Sequence, residues 1–173
     1  MLDSVYTAIF RPFEIRFPRK AAVAIASLII LVLALNAAGT TNSGVGGVVG
    51  FALLFVFAGT LGWYWLAASV NLIAQLFGGQ GNGRESLLGM VWGLWPLLFT
   101  GVAMAASNWS IILGQLFYWI IILGTLVTSA IAIRYVHKLS WLKTGLCLGI
   151  TLILSLLALS GLLLWPLMII LGT

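Results

Sequence analysis

Five long apolar stretches, roughly residues 21–38, 48–70, 87–105, 110–133 and 144–170, divide this chain, and the charged positions all fall outside them. An α-helix rises about 1.5 Å per residue, so even the eighteen residues 21–38 reach about 27 Å, enough for a bilayer core. The pattern predicts an all-α fold: a polytopic transmembrane helical bundle of five spans over residues 21–173, preceded by a separate segment, 1–20. The second stretch stays apolar as far as Phe77 and carries Asn71 and Gln75 in its last turns. It is longer than one crossing needs, so its end is expected to project from the membrane core.

Local signals refine this outline. Asn82 followed by Glu85 fits a capping box opening the third span. Pro96, near the middle of that span, removes the hydrogen bond to the carbonyl of Trp92 and predicts a kink. Gly89 and Gly93 form a small-xxx-small pair that allows close helix contact. Ala106-Ser107-Asn108 is so short a turn that spans three and four must form an antiparallel hairpin. Trp63, Tyr64 and Trp65 sit mid-span and are expected to pack against other helices. Pro166 predicts a second kink, in span five. Trp95-Pro96-Leu97-Leu98 recurs as Trp165-Pro166-Leu167-Met168, but at a different depth, and is read as coincidence.

Charge sets the orientation. All eight Lys/Arg lie in three segments: Arg11, Arg16, Arg19 and Lys20 before span one; Arg84 before span three; Arg134, Lys138 and Lys143 between spans four and five. The alternate segments hold none. By the positive-inside rule the N-terminus is cytoplasmic and the C-terminus lies on the outer or lumenal side. Arg16, Arg19 and Lys20 before an apolar run ending at Ala37–Ala38 have the outline of a signal peptide, but four further apolar stretches follow, and the segment is expected to be retained as span one. Residues 1–20, with Phe10, Phe13 and Phe17 interleaved with Arg11, Glu14, Arg16 and Arg19, read as a basic aromatic segment lying in the headgroup layer.

The chain is 62% apolar and only 6% charged, against about 25% charged in soluble domains. The net +5 is spread beside apolar spans, so its expected partners are anionic headgroups on the cytoplasmic side and other membrane proteins, not nucleic acid. A single cysteine, Cys147, excludes an internal disulfide.

Candidate chemistry is sparse. His137 is the only histidine and is expected to be a solvated loop residue; with no second His and no nearby carboxylate, no metal site and no cofactor are expected. No ionisable residue lies within a span, which argues against proton relays and ion paths, and no acid–base pair suggests an enzyme. The glycine-rich loop Phe77-Gly78-Gly79-Gln80-Gly81-Asn82-Gly83-Arg84-Glu85 reads first as a structural turn, and second as an anion site beside Arg84.

The stretch Asn71-Leu72-Ile73-Ala74-Gln75-Leu76-Phe77-Gly78-Gly79-Gln80-Gly81, leading to Trp95-Pro96-Leu97-Leu98, resembles the Yip family of five-span membrane proteins. Tyr135-Val136-His137-Lys138-Leu139-Ser140 is similar to the family's link into its last span, and Phe10-Arg11-Pro12-Phe13-Glu14 to the N-terminal segment of bacterial members. The resemblance implies family-motif or contact positions at Arg11, Pro12, Gly78, Gly79, Gly81, Arg84 and Pro96. Eukaryotic relatives act in vesicle trafficking and bind Rab GTPases through long N-terminal regions. Here that region is about twenty residues, so the likeness is to the short bacterial type, and it carries no activity over. The expected function is non-enzymatic, through protein or lipid contacts, as a subunit or assembly partner of a larger membrane complex. The alternative is a transporter or channel for a small or lipidic substrate, lined by Asn71, Gln75, Gln115 and the Pro96 kink.

Overall fold

The computed structural model describes residues 19–39 and 45–171 and, within its helices, the side chains of 21–38 and 46–161. The expected interfacial segment, with Arg11 and Pro12, lies outside the described residues. Every element of the described chain is a helix: α1 (Arg19–Gly39), α2 (Val45–Leu76), α3 (Gly83–Leu94), a 3-10 turn (Trp95–Phe99), α4 (Thr100–Trp109), α5 (Ile111–His137) and α6 (Trp141–Leu171). α3, the 3-10 turn and α4 form one interrupted span, so five helical units are long and apolar enough to cross a membrane. α2 runs to Leu76 and α5 to His137, the latter four residues past the expected end of span four. α6 continues through Pro166 to Leu171. The two Trp-Pro segments therefore differ in structure as well as depth, one a 3-10 turn and the other within a helix.

The interrupted span is the centre of the bundle. Within its most apolar window 44% of residues are buried, against 28% or less for the other four. α5 packs along it from one side and α1 from the other, α2 packs on α1 and α3, and α6 packs on α2 and α5. In lipid, close packing and interhelical hydrogen bonds hold helices together, because lipid tails solvate leucine as well as another helix does. Small residues accordingly mark the contacts. α1 buries Ala22, Ala26, Ala34 and Ala38. A Cβ at Gly89 would stand 2.8 Å from Val136 Cγ2, one at Gly93 2.7 Å from Ser129 Oγ, and one at Gly114 would fall onto Ser107. These pairs, 89 with 136, 93 with 129 and 107 with 114, give the antiparallel register of the hairpin that the short turn predicts.

Pro96 interrupts its helix as expected, but the neighbouring carbonyls resettle in a particular way. In a 3-10 pattern residue 96 would donate to the carbonyl of Gly93, and proline has no N–H to give. Thr128 Oγ1 of α5 lies 2.6 Å from Gly93 O, the nearest of its three carbonyl acceptors, and fills that place. Helix breaks inside membranes are tolerated where the freed backbone groups find such partners, hydroxyl side chains of neighbouring helices among them. Just beyond the turn, Asn36 Nδ2 of α1 donates to Thr100 Oγ1 at 2.9 Å.

The main apolar core, Val70, Ile73, Ala74, Met90, Ile133, Leu139 and Cys147 among it, joins α2, α3, α5 and α6 near the end of the bundle where the charged loops lie. Trp63 bridges it to the smaller cluster of Ala22, Ala26 and Val91 and donates from Nε1 to Leu87 O at 3.1 Å. Tyr64 and Trp65, expected like Trp63 to pack against other helices, are instead about half exposed, Tyr64 lining a cleft between α1 and α2.

Candidate functional site

Arg84, Arg134, Lys138 and Lys143 lie at the same end of the bundle, where three chain segments are tied together. α2 closes with a Schellman motif: Gly79 N donates to Ala74 O at 2.8 Å and Gly78 N to Gln75 O at 2.9 Å. Gly78 sits at φ +84, the left-handed geometry that this motif requires of its first residue past the helix and that glycine adopts at least cost. Lys143 Nζ, from the first turn of α6, donates to Phe77 O at 3.0 Å, a cation on the negative end of the α2 dipole. Arg134 lies over the Trp141 ring at 4.4 Å, which binds the end of α5 to the start of α6.

The loop then crosses the end of α5. Gln80 N donates to His137 O at 3.1 Å, so the loop itself satisfies a carbonyl that the helix end leaves open. A Cβ at Gly81 would stand 2.7 Å from both Val136 Cγ1 and Val136 O, and one at Gly79 2.8 Å from Ala74 O and 3.0 Å from His137 Cβ. Gly79 and Gly81 thus serve close approach, and Gly78 serves a backbone turn. After the crossing, α3 starts with the predicted capping box: Glu85 N donates to Asn82 Oδ1 at 2.9 Å, and Asn82 N to Glu85 Oε2 at 3.2 Å.

Beneath this loop lies His137, expected to be a solvated loop residue. It is the last residue of α5, is 1% exposed, and does not sit in solvent. The crossing of Gly79–Gly81 covers it. Its Nε2 lies 2.8 Å from Ser86 Oγ, which is 2% exposed and also stands 3.0 Å from Asn82 O and 3.3 Å from Asn71 Oδ1. Nδ1 has no hydrogen-bond partner and is turned towards Gly81. A serine 2.8 Å from an imidazole has the outline of a nucleophile and its base, but that chemistry needs a third group to orient the ring and access for a substrate. The space beside the pair, lined by Val70, Gly89, Met90 and Val136, has no room for a water molecule. Among the described residues no three of His, Cys, Asp and Glu come together in a metal-sized group.

The structure gathers Gly78, Gly79, Gly81 and Arg84 of the expected contact positions. It does not gather Pro96, which is buried in the 3-10 turn about a dozen residues up the same span. Nor do the polar residues suggested for a transport path converge. Asn71 bonds to Ser86 at the charged end and Gln75 is exposed there, while Gln115 is exposed one turn from the opposite end of α5. Some two dozen helical residues separate Ser86 from the hairpin turn beside Gln115, on the order of 35 Å. Sequence reasoning missed Ser86 and Val136. Their one available signal was the glycine spacing, which asks for something bulky close by without saying what.

A family model described as Yip1 domain matches residues 9–163. No curated protein and no solved structure gives a significant match.

Proposed function

This chain belongs to the Yip1 family, and from that premise we propose that it works by contact, without catalysis, as an assembly partner of other membrane proteins. The observation that carries this reading is a contrast among its glycines. Gly59, Gly89, Gly93 and Gly114 each meet a side chain of a neighbouring helix, whereas Gly46 and Gly50 on α2 and Gly145 and Gly149 on α6 meet nothing within 4 Å. A glycine in a helix interior costs about 1 kcal/mol relative to alanine. Inside the bundle, close packing offsets that cost. On α2 and α6 nothing among the described residues does, and each pair has the four-residue spacing at which another helix approaches closely.

The charged end fits the same reading. Its loops are held by hydrogen bonds from one segment to the next, so it presents a fixed surface, and the positive-inside rule puts that surface and the N-terminus in the cytoplasm. The buried, inaccessible Ser86–His137 pair supports a structural role for the one arrangement that resembles catalytic chemistry.

Extraction in mild detergent followed by native electrophoresis tests the proposal. The expected result is a species larger than the monomer, lost in Gly145→Leu/Gly149→Leu or in Gly46→Leu/Gly50→Leu while the chain remains helical. A lone monomer from native membranes, with no co-migrating protein, would overturn it.

A further inference from the structure

A cleft of about 420 Å3 opens between α1, α2 and the start of α3, within the size range of small-molecule sites. Its walls combine three chemistries. Val23, Ile30 and Leu88 are apolar, Ser27 and Thr60 carry hydroxyls, and Arg84 stands in the lining at the charged end. At its far end Ile30 closes on α2 where Gly59 has no side chain: a Cβ there would stand 3.1 Å from Ile30 Cγ2. The α1 wall from Val23 to Ile30 is about 10 Å long. It begins one turn from the charged end and reaches towards mid-membrane.

Among the described residues Arg84 has no carboxylate partner. The only acidic residue among the described residues is Glu85, and its carboxylate is turned to the Asn82 N–H in the capping box. The exposed cation therefore stands at the mouth of a cleft whose depth is uncharged, with Thr60 Oγ1 there turned back to Val56 O of its own helix at 2.8 Å. From this charge and polarity order we infer that the cleft holds one anionic glycerophospholipid, its phosphate on Arg84 and one acyl chain running between α1 and α2 towards Ile30. The match to a lipid is directional. A free phosphate would use Arg84 and leave the uncharged depth empty, and a neutral lipid would use the depth and leave Arg84 unpaired. The site does not depend on the chain having a protein partner.

The full chain, reconstituted in vesicles of mixed phosphatidylglycerol and phosphatidylcholine, tests this with a trace of either lipid carrying a photoreactive group midway along one acyl chain. The expected labels fall on the peptides bearing Ser27, Ile30 and Thr60, with about fivefold preference for phosphatidylglycerol, the scale of one interfacial cation acting on an anionic lipid. Arg84→Gln should bring the two lipids to parity while labelling persists. Ser27→Leu, at an exposed position on α1, should fill the cleft and lower labelling by both. Labels spread evenly over all lipid-facing helices would overturn the proposal. So would equal labelling by both lipids in the unmodified chain, or loss of the lipid preference on adding millimolar inorganic phosphate.

Discussion

Gly78 and Gly81 stand three residues apart and constrain the loop for different reasons, so they should answer differently to substitution. At Gly78 the restraint is φ +84 with open space around it, and asparagine tolerates that conformation. Gly78→Asn should cost under about 1 kcal/mol, while Gly81→Ala, driven against the Val136 carbonyl, should cost about 1–3 kcal/mol. Thermal unfolding in detergent micelles, followed by tryptophan fluorescence, compares them; equal shifts would contradict the packing role of Gly81. Ser86→Ala strips the buried His137 Nε2 of its hydrogen bond and should cost about 1–3 kcal/mol. Ser86→Ala combined with His137→Leu should cost less than the sum of the two single changes, because the imidazole nitrogen that Ser86→Ala strips of its partner is then gone. His137 could not be read correctly from the sequence, because its immediate neighbours Arg134, Lys138 and Lys143 mark a wet loop. What buries it are Gly79 and Gly81, more than fifty positions earlier, and nothing in one sequence pairs the two segments.

At the level of the element, the break at Pro96 and the hydroxyl of Thr128 are one device built from two helices. Thr128→Val leaves Gly93 O unsatisfied and should cost about 1–2 kcal/mol. Pro96→Ala restores an N–H that can bond to the same carbonyl, so the Thr128→Val penalty should shrink in that background. A double-mutant cycle by chemical unfolding should return a coupling of at least about 0.5 kcal/mol; strict additivity would show that Thr128 serves only its own helix. The proline and the capping box were legible because each acts within four residues of itself. Thr128 read only as a hydroxyl able to bond in its own helix or across to another, and its choice of Gly93 depends on the register that Gly89 and Gly93 establish against α5.

Across the whole molecule, length and apolarity made the five spans readable, since a bilayer imposes the same requirement on each. Charge made their common polarity readable, and the hydrogen bonds Gln80–His137 and Lys143–Phe77 place the described basic loops at one end. The side of the membrane that this end faces can be measured with a membrane-impermeant thiol reagent on intact cells. Cys147, fully buried, should stay silent in the unmodified chain; Asn108→Cys should react from outside, and Ser140→Cys only after the cells are opened. The reverse pattern would invert the orientation proposed above. The cleft at Arg84 was not legible, because Ser27, Thr60 and Arg84 come from three helices whose facing sides no periodicity in a strongly apolar sequence reveals.

The crossing of the glycine loop over α5 also imposes a schedule on biosynthesis. Gly81 leaves the ribosome fifty-six residues ahead of His137, about 3 to 11 s at ordinary elongation rates. Until the fourth span is in the membrane, the loop has nothing to seat against and Ser86 enters the bilayer edge without its imidazole. The third span must therefore wait, inserted but unsecured, for a later part of the same chain.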